Sequence, residues 1–254
     1  RSVGAPVWAA DGKSLYVAYD DQGATRVARV GLDGKVEPLF SGLAGGAFDR
    51  PYTGGQFDAA KGLIAFTEGG PDHPADISVW RGGKTQRLTD LNADLLADKA
   101  LAKVEALPVT SSYDRKPIGA WIATPPNFDP AKKYPLILEI HGGPFSAYGP
   151  TFASDVQLYA AAGYVVVYSN PRGSTSYGDD FANQIDRNYP SHDYDDLMSV
   201  VDAAIARGFV DPSHLYVTGG SGGGLLTAWI VGRTDRFRAA AWFQRECAGN
   251  WPGR

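Results

Sequence analysis

A serine set among glycines is the strongest chemical signal in the chain, in the stretch Val217-Thr218-Gly219-Gly220-Ser221-Gly222-Gly223-Gly224. The short apolar run at 215–217 reads as a buried strand, and the apolar stretch at 225–231 reads as a helix packed on a sheet. Strand, Gly-x-Ser-x-Gly and helix in that order is the pattern of a nucleophile elbow. So sharp a turn brings strand and helix close enough that a Cβ at Gly219 or Gly223 would collide, while Ser221 takes a strained backbone conformation. The chemistry this permits is acyl transfer: an exposed hydroxyl attacks a carbonyl, and the oxyanion that forms meets the N–H groups and positive dipole end of the helix. A glycine-rich hinge or a phosphate loop are the other readings. No Lys follows Gly224, and the glycine spacing does not match G-x-G-x-x-G.

The oxyanion in such a site is held by the N–H of the residue after the nucleophile, here Gly222, and by an N–H from a loop after an earlier strand. His141-Gly142-Gly143-Pro144 stands where that loop belongs, which makes Gly142 and Gly143 the candidate partners. A serine also needs a general base, and the elbow pattern supplies Asp or Glu and then His after the nucleophile. All four histidines, His73, His141, His192 and His214, precede Ser221. His214 opens the strand that ends in the elbow, roughly 20 Å away at ~3.3 Å per residue. His141 is the one candidate at the right end of the sheet, but its own strand fixes its direction, so it is expected to position its loop. His73, beside prolines at 71 and 74, reads as a turn residue with no metal-type cluster around it.

The elements that would position these groups fall into two regions. Short alternating strands separated by Asp-Gly turns fill the first, at 7–17, 25–30 and 36–40, and return roughly 48 residues on at 56–58, 63–66, 77–80 and 86–88. Two units at that period suggest blades of a β-propeller, with an ordinary antiparallel sandwich as the alternative. A Leu, Ala and Asp-rich connector covers 90–103. Beyond it, strands at 104–110, 118–124, 134–140 and 164–169 alternate with helical stretches at 152–162 and 192–207, the pattern of a mostly parallel sheet covered on both faces. Ser191 is the expected N-cap of the last helix, with Asp193, Asp195 and Asp196 in its first turn as capping and solvated carboxylates.

The chain has 254 residues, 44% hydrophobic and 20% charged, which is globular composition, and its formal charge of -4 with a pI near 5.5 gives no basic footprint for nucleic acid. No apolar run approaches a membrane span, and a single cysteine, Cys247, excludes an internal disulfide framework.

Together, Gly219-Gly220-Ser221-Gly222-Gly223, His141-Gly142-Gly143-Pro144 and Asn170-Pro171-Arg172-Gly173-Ser174 resemble the prolyl oligopeptidase family of serine peptidases, in its acylaminoacyl-peptidase and dipeptidyl-peptidase branch. Gln86-Arg87-Leu88-Thr89-Asp90-Leu91-Asn92, Val210-Asp211-Pro212 and Asp235-Arg236-Phe237-Arg238-Ala239-Ala240 also fit, so the likeness runs to about Ala241. The resemblance implies an α/β chain: a β-propeller fragment and connector over 1–100, then the N-terminal part of an α/β-hydrolase catalytic domain over 101–254. It implies cleavage of short peptides through an acyl-enzyme on Ser221, with Gly222, Gly143 and Gly142 as oxyanion donors. No metal, cofactor, nucleic-acid or membrane partner is implied, and a soluble cytoplasmic or periplasmic setting is expected. His141 stands where relatives carry an oxyanion tyrosine, and Gly222 where an aromatic is usual. The family's Asp and His belong many residues beyond Ser221, and the tail at 242–251 echoes the family with altered spacing. The chain therefore reads as the middle of a longer peptidase, expected to be inactive alone, with an α/β-hydrolase esterase or a non-catalytic binding fragment as alternatives.

Overall fold

The computed structural model describes residues 3–243. Cys247 and residues 244–251 of the tail lie outside them.

Residues 7–87 form an antiparallel sheet of eight strands: β1 (Val7–Trp8), β2 (Ser14–Asp21), β3 (Ala24–Gly31), β4 (Val36–Leu43), β5 (Phe57–Ala60), β6 (Leu63–Gly70), β7 (His73–Arg81) and β8 (Lys84–Arg87). Tight turns built on Gly12, Gly23, Gly34 and Gly62, all at positive φ, return each strand beside its predecessor. The halves β1–β4 and β5–β8 are consecutive meanders that meet through one register pair, Leu43 with Glu68. Their small shared core is Val27, Leu43, Ile64 and Phe66, flanked by half-buried Phe40 and Trp80.

A connector with one short helix, α1 (Ala93–Leu96), leads to the second sheet. Its strands are β9 (Lys103–Ala106), β10 (Val109–Thr110), β11 (Pro117–Thr124), β12 (Tyr134–Ile140), β13 (Val165–Asn170), β14 (Val210–Gly220) and β15 (Phe237–Phe243). The strand expected over 104–110 is two strands because Pro108, which has no N–H to give a ladder, separates them; both pair with β11. The order is β10-β11-β13-β12-β14-β15, and from β13 onward every neighbour is parallel.

Because side chains alternate along a strand, this sheet has two buried faces. On one, Leu136, Leu138, Val165, Val167 and Val217 pack with Leu197, Val200, Val201, Leu226 and Ile230 of helices α4 (Asp193–Ala206) and α5 (Gly222–Val231). On the other, Ala123, Val166 and Tyr168 pack with Val156 and Ala160 of α2 (Ser154–Ala161). All six residues of β13 are buried, which explains its unbroken apolar run. A one-turn helix, α3 (Asp179–Ala182), lies between β13 and α4. No helix among the described residues is long and apolar enough to cross a membrane.

The start of α4 differs from expectation. His192 is its N-cap residue, Ser191 makes no side-chain cap, and Asp193 Oδ1 instead accepts the N–H groups of Ser191 (2.7 Å) and Tyr194 (2.9 Å). Asp193 and Asp196 are buried rather than solvated. Asp196 is drawn inward by Arg172, whose Nε and Nη2 each donate to it over 2.9 Å.

Candidate active site

The parallel pairing of β12 with β14 sets Ile140 beside Gly219, so the loop after β12 and the turn after β14 emerge together at one edge of the sheet. In that turn Ser221 is the single residue between β14 and α5, at φ 54° and ψ -116°. A positive φ at a non-glycine residue costs on the order of 1–3 kcal/mol and persists only where the surroundings enforce it. Close packing supplies that enforcement. A Cβ on Gly223 would stand 2.1 Å from Ile140 O, and one on Gly219 would stand 2.6 Å from Gly223 O. The Ser221 N–H donates to Phe243 O (2.9 Å), tying the turn to β15. Its side chain is exposed, and its hydroxyl has no hydrogen-bond partner among the described residues.

Gly143, at φ 130°, faces the same space. A Cβ on Gly222 would lie 2.7 Å from Gly143 O and 3.1 Å from Gly143 N, so the two backbones touch. Neither the Gly143 N–H nor the Gly222 N–H, at the first position of α5, has a partner among the described residues. The N–H of Gly142 is engaged: it donates to the Tyr52 hydroxyl over 2.8 Å.

The loop is held from behind. Gly142 O lies 2.7 Å from His141 Nδ1, and since a carbonyl only accepts, Nδ1 carries the proton. Nε2 lies 2.8 Å from Ser174 Oγ, whose own proton goes to Pro171 O (2.6 Å). Complete burial lowers the His141 pKa to about 4, so the ring is neutral. Asn170 fixes the next part of the loop, taking the Tyr148 N–H (2.7 Å) and donating to Tyr148 O (2.8 Å). The Asn-Pro-Arg-Gly-Ser motif thus orders the loop through Asn170 and Ser174, while its Arg172 anchors α4. On the far side of the elbow, the Tyr189 hydroxyl donates to Gly222 O over 3.1 Å.

Every histidine is committed elsewhere. His192 Nδ1 pairs with Asp195 (2.8 Å) and its ring stacks on Tyr113; His214 Nδ1 pairs with Asp211 (2.7 Å), and His73 Nδ1 with Asp72 (2.8 Å). Among the described residues no group of three metal-type side chains could hold an ion.

Two residues of the site have no counterpart in the sequence reading. Arg50 Nη1 lies 2.7 Å from Glu139 Oε1 beneath the elbow, and 3.3 Å from where a Gly220 Cβ would be. Glu139 is fully buried, and that burial raises its pKa to about 7 against the opposing pull of Arg50. Tyr52 comes from the same loop. The one available signal was Asp49-Arg50-Pro51-Tyr52, bulky and charged residues in an otherwise small-residue loop.

Residues 150–243 match the model of the prolyl oligopeptidase family, and over 251 residues the chain is 36% identical to an uncharacterized peptidase of Bacillus subtilis, YuxL, covering 97% of this chain and 36% of that one. The chain belongs to the prolyl oligopeptidase family. Within it, dipeptidyl-peptidase 5 of Aspergillus fumigatus is 29% identical over 91% of this chain and 32% of its own length. The solved acylaminoacyl peptidase of Pyrococcus horikoshii superposes with a TM-score of 0.81 at 26% identity, over 94% of this chain and 37% of that one. The chain spans about a third of the length of the curated relatives it matches.

Proposed function

We propose that this chain carries the nucleophile and oxyanion donors of a serine peptidase acting on short peptides, of acylaminoacyl- or dipeptidyl-peptidase type. Ser221 Oγ attacks the scissile carbonyl carbon while its proton passes to a base. The oxyanion is held by the N–H groups of Gly222 and Gly143, and collapse of the intermediate expels the amine and leaves an acyl-enzyme that water hydrolyses. The observation that carries this reading is the backbone of Ser221, forced to φ 54° in an exposed residue, with the Gly222 and Gly143 N–H groups at the same turn unpartnered among the described residues. Each such donor is worth about 3 kcal/mol of transition-state stabilisation.

Residues 101–254 are, in this reading, part of an α/β-hydrolase catalytic domain, and 1–100 are propeller blades with a connector. The repeat supports blades: β2, β3 and β4 start at 14, 24 and 36, and β6, β7 and β8 at 63, 73 and 84. The four histidines are all bound up away from Ser221, so the 254 residues by themselves have no imidazole to take the proton, and turnover by this chain alone is expected to be negligible.

The test uses the whole product of the reading frame and the 254-residue chain side by side. The whole product should hydrolyse acyl-peptide or dipeptide anilides and react with a serine-directed organophosphonate, with both lost in Ser221→Ala. The 254-residue chain should do neither. Rapid labelling of the shorter chain at Ser221 would overturn its inactivity, and an active Ser221→Ala whole product would overturn the assignment of the nucleophile.

A further inference from the structure

A loop of the first sheet reaches into the site, and its contacts are made by backbone. Ser154 N–H donates to Phe48 O (2.9 Å), Asp155 N–H to Asp49 O (3.0 Å), Gly149 N–H to Pro51 O (2.8 Å), and Thr53 N–H to Ala147 O (3.0 Å). Residues 48–53 are thus zipped against the loop after β12 and the first turn of α2, and Tyr52 forms a β-bridge with Tyr148. The two rings meet edge to face, centroids 4.8 Å apart. Such support fixes where the Tyr52 hydroxyl goes, without relying on a flexible side chain.

The hydroxyl ends at Gly142, beside the elbow. A point one bond out from Gly142 Cα, where a Cβ would be, lies 3.1 Å from Tyr52 Oη and 3.3 Å from Ser221 Cβ. The phenol oxygen accepts the Gly142 N–H, and that bond uses a lone pair and leaves the phenol proton free. That proton makes no hydrogen bond among the described residues. A half-buried O–H held rigidly beside a serine elbow, its proton unbonded, is placed to serve an oxygen that arrives with the substrate.

We propose that Tyr52 is a catalytic residue: its hydroxyl, in place of the Gly142 N–H that it occupies, donates to the oxygen of the reacting carbonyl beside Gly143 and Gly222. This rests on Ser221 being the nucleophile. It makes the first sheet a contributor to the oxyanion site, because Tyr52 lies in the loop between β4 and β5. No net proton transfer is required. The phenol proton stays on Tyr52, and its hydrogen bond shortens as charge builds on the carbonyl oxygen.

The decisive variant is Tyr52→Phe in the whole product of the reading frame, since phenylalanine keeps the ring contact with Tyr148. It should lower kcat by ~10- to 1,000-fold, the span for loss of one oxyanion donor, with the lower end reached if the freed Gly142 N–H substitutes in part. KM should stay within about threefold, and a peptidyl boronic acid, which mimics the tetrahedral adduct, should weaken in proportion to kcat. A kcat within twofold of wild type, or a loss confined to KM, overturns the proposal. Should Tyr52→Phe fold poorly, 3,5-difluorotyrosine at position 52 keeps the shape and lowers the phenol pKa. The alkaline limb of kcat should then move toward neutral pH, and an unmoved limb would count against the hydroxyl. Ser221→Ala run in parallel separates the two claims: activity retained there removes the underlying reading, whereas an inactive Ser221→Ala with a fully active Tyr52→Phe removes only Tyr52.

Discussion

The two sheets divide the work unequally. In the second, β12, β13 and β14 are enclosed by helices on both faces, and the site grows from the ends of the buried strands. In the first, the enclosed core is four side chains, and most strand residues are half-exposed. Yet the weaker sheet delivers Arg50 and Tyr52 to the elbow. The difference teaches that rigidity at the site comes from the α/β sheet, while the antiparallel sheet contributes a loop bonded on one side to its own strands, Thr53 to Asp20 and Gly54 to Thr25, and on the other to the α/β region.

One substitution made in each region sharpens that contrast. Gly223→Ala puts a methyl 2.1 Å from Ile140 O and 2.8 Å from His141 O, both backbone atoms of a buried strand end that cannot yield. A loss of upwards of ~5 kcal/mol is expected, the range reserved for gross clashes, and the protein should not reach its native melting transition. Gly34→Ala, in the turn between β3 and β4, meets nothing within 4 Å and carries only the strain of φ 83°. It should cost about 1–2 kcal/mol. Equal losses in denaturant melts would mean that the elbow is not the tightly packed point described here.

The legibility of the sequence follows the same division. The elbow was readable because its constraint is local: the glycines two residues to either side of Ser221 record the clearance that helix and strand require. The buried strands were readable because two covered faces leave an unbroken apolar run, as at 165–168. Contacts that span the chain left no such trace. Asp196 looked like a solvated first-turn carboxylate because nothing within its own helix announces Arg172, 24 residues away. Nor does anything near residue 52 announce a partner 90 residues on. Ser191 had the right residue type for a cap, but Asp193 Oδ1 takes the Tyr194 N–H that a cap there would bind.

Arg50 tests how far the loop and the sheet depend on one another. Glu139 is fully buried and Arg50 is its cationic neighbour, so Arg50→Ala strands a carboxylate in the interior, which typically costs about 3–5 kcal/mol. The loss should be largest above pH 7 and shrink on acidification, because the carboxyl can take a proton and stop needing a counter-ion. Chemical denaturation of Arg50→Ala at pH 8 and pH 5.5 checks this. A loss that does not vary with pH would mean that the packing of the Arg50 stem matters more than its charge.

The smallest effect is a slope, and its sign follows from two neighbours with opposed shifts. Glu139 has its pKa raised from 4.5 to about 7, so the folded state holds a proton there that the unfolded state has released. Its contribution is complete below pH 4.5 and is lost as pH rises toward 7. His141 has its pKa lowered from 6.5 to about 4, so the unfolded state binds the extra proton. Its contribution is complete above pH 6.5 and is lost as pH falls toward 4. Over the shared window the two slopes oppose each other and nearly cancel. Glu139→Gln removes one of them while leaving an oxygen to accept from Tyr148. Stability measured from pH 4.5 to 6.5 should then rise more steeply with pH in the variant than in the wild type, by up to ~1.4 kcal/mol per pH unit, the value of one proton. Parallel profiles would mean that Glu139 is ionised in the folded protein throughout, held so by Arg50, and that the loop of the first sheet stabilises the elbow's strand electrostatically as well as by its backbone bonds.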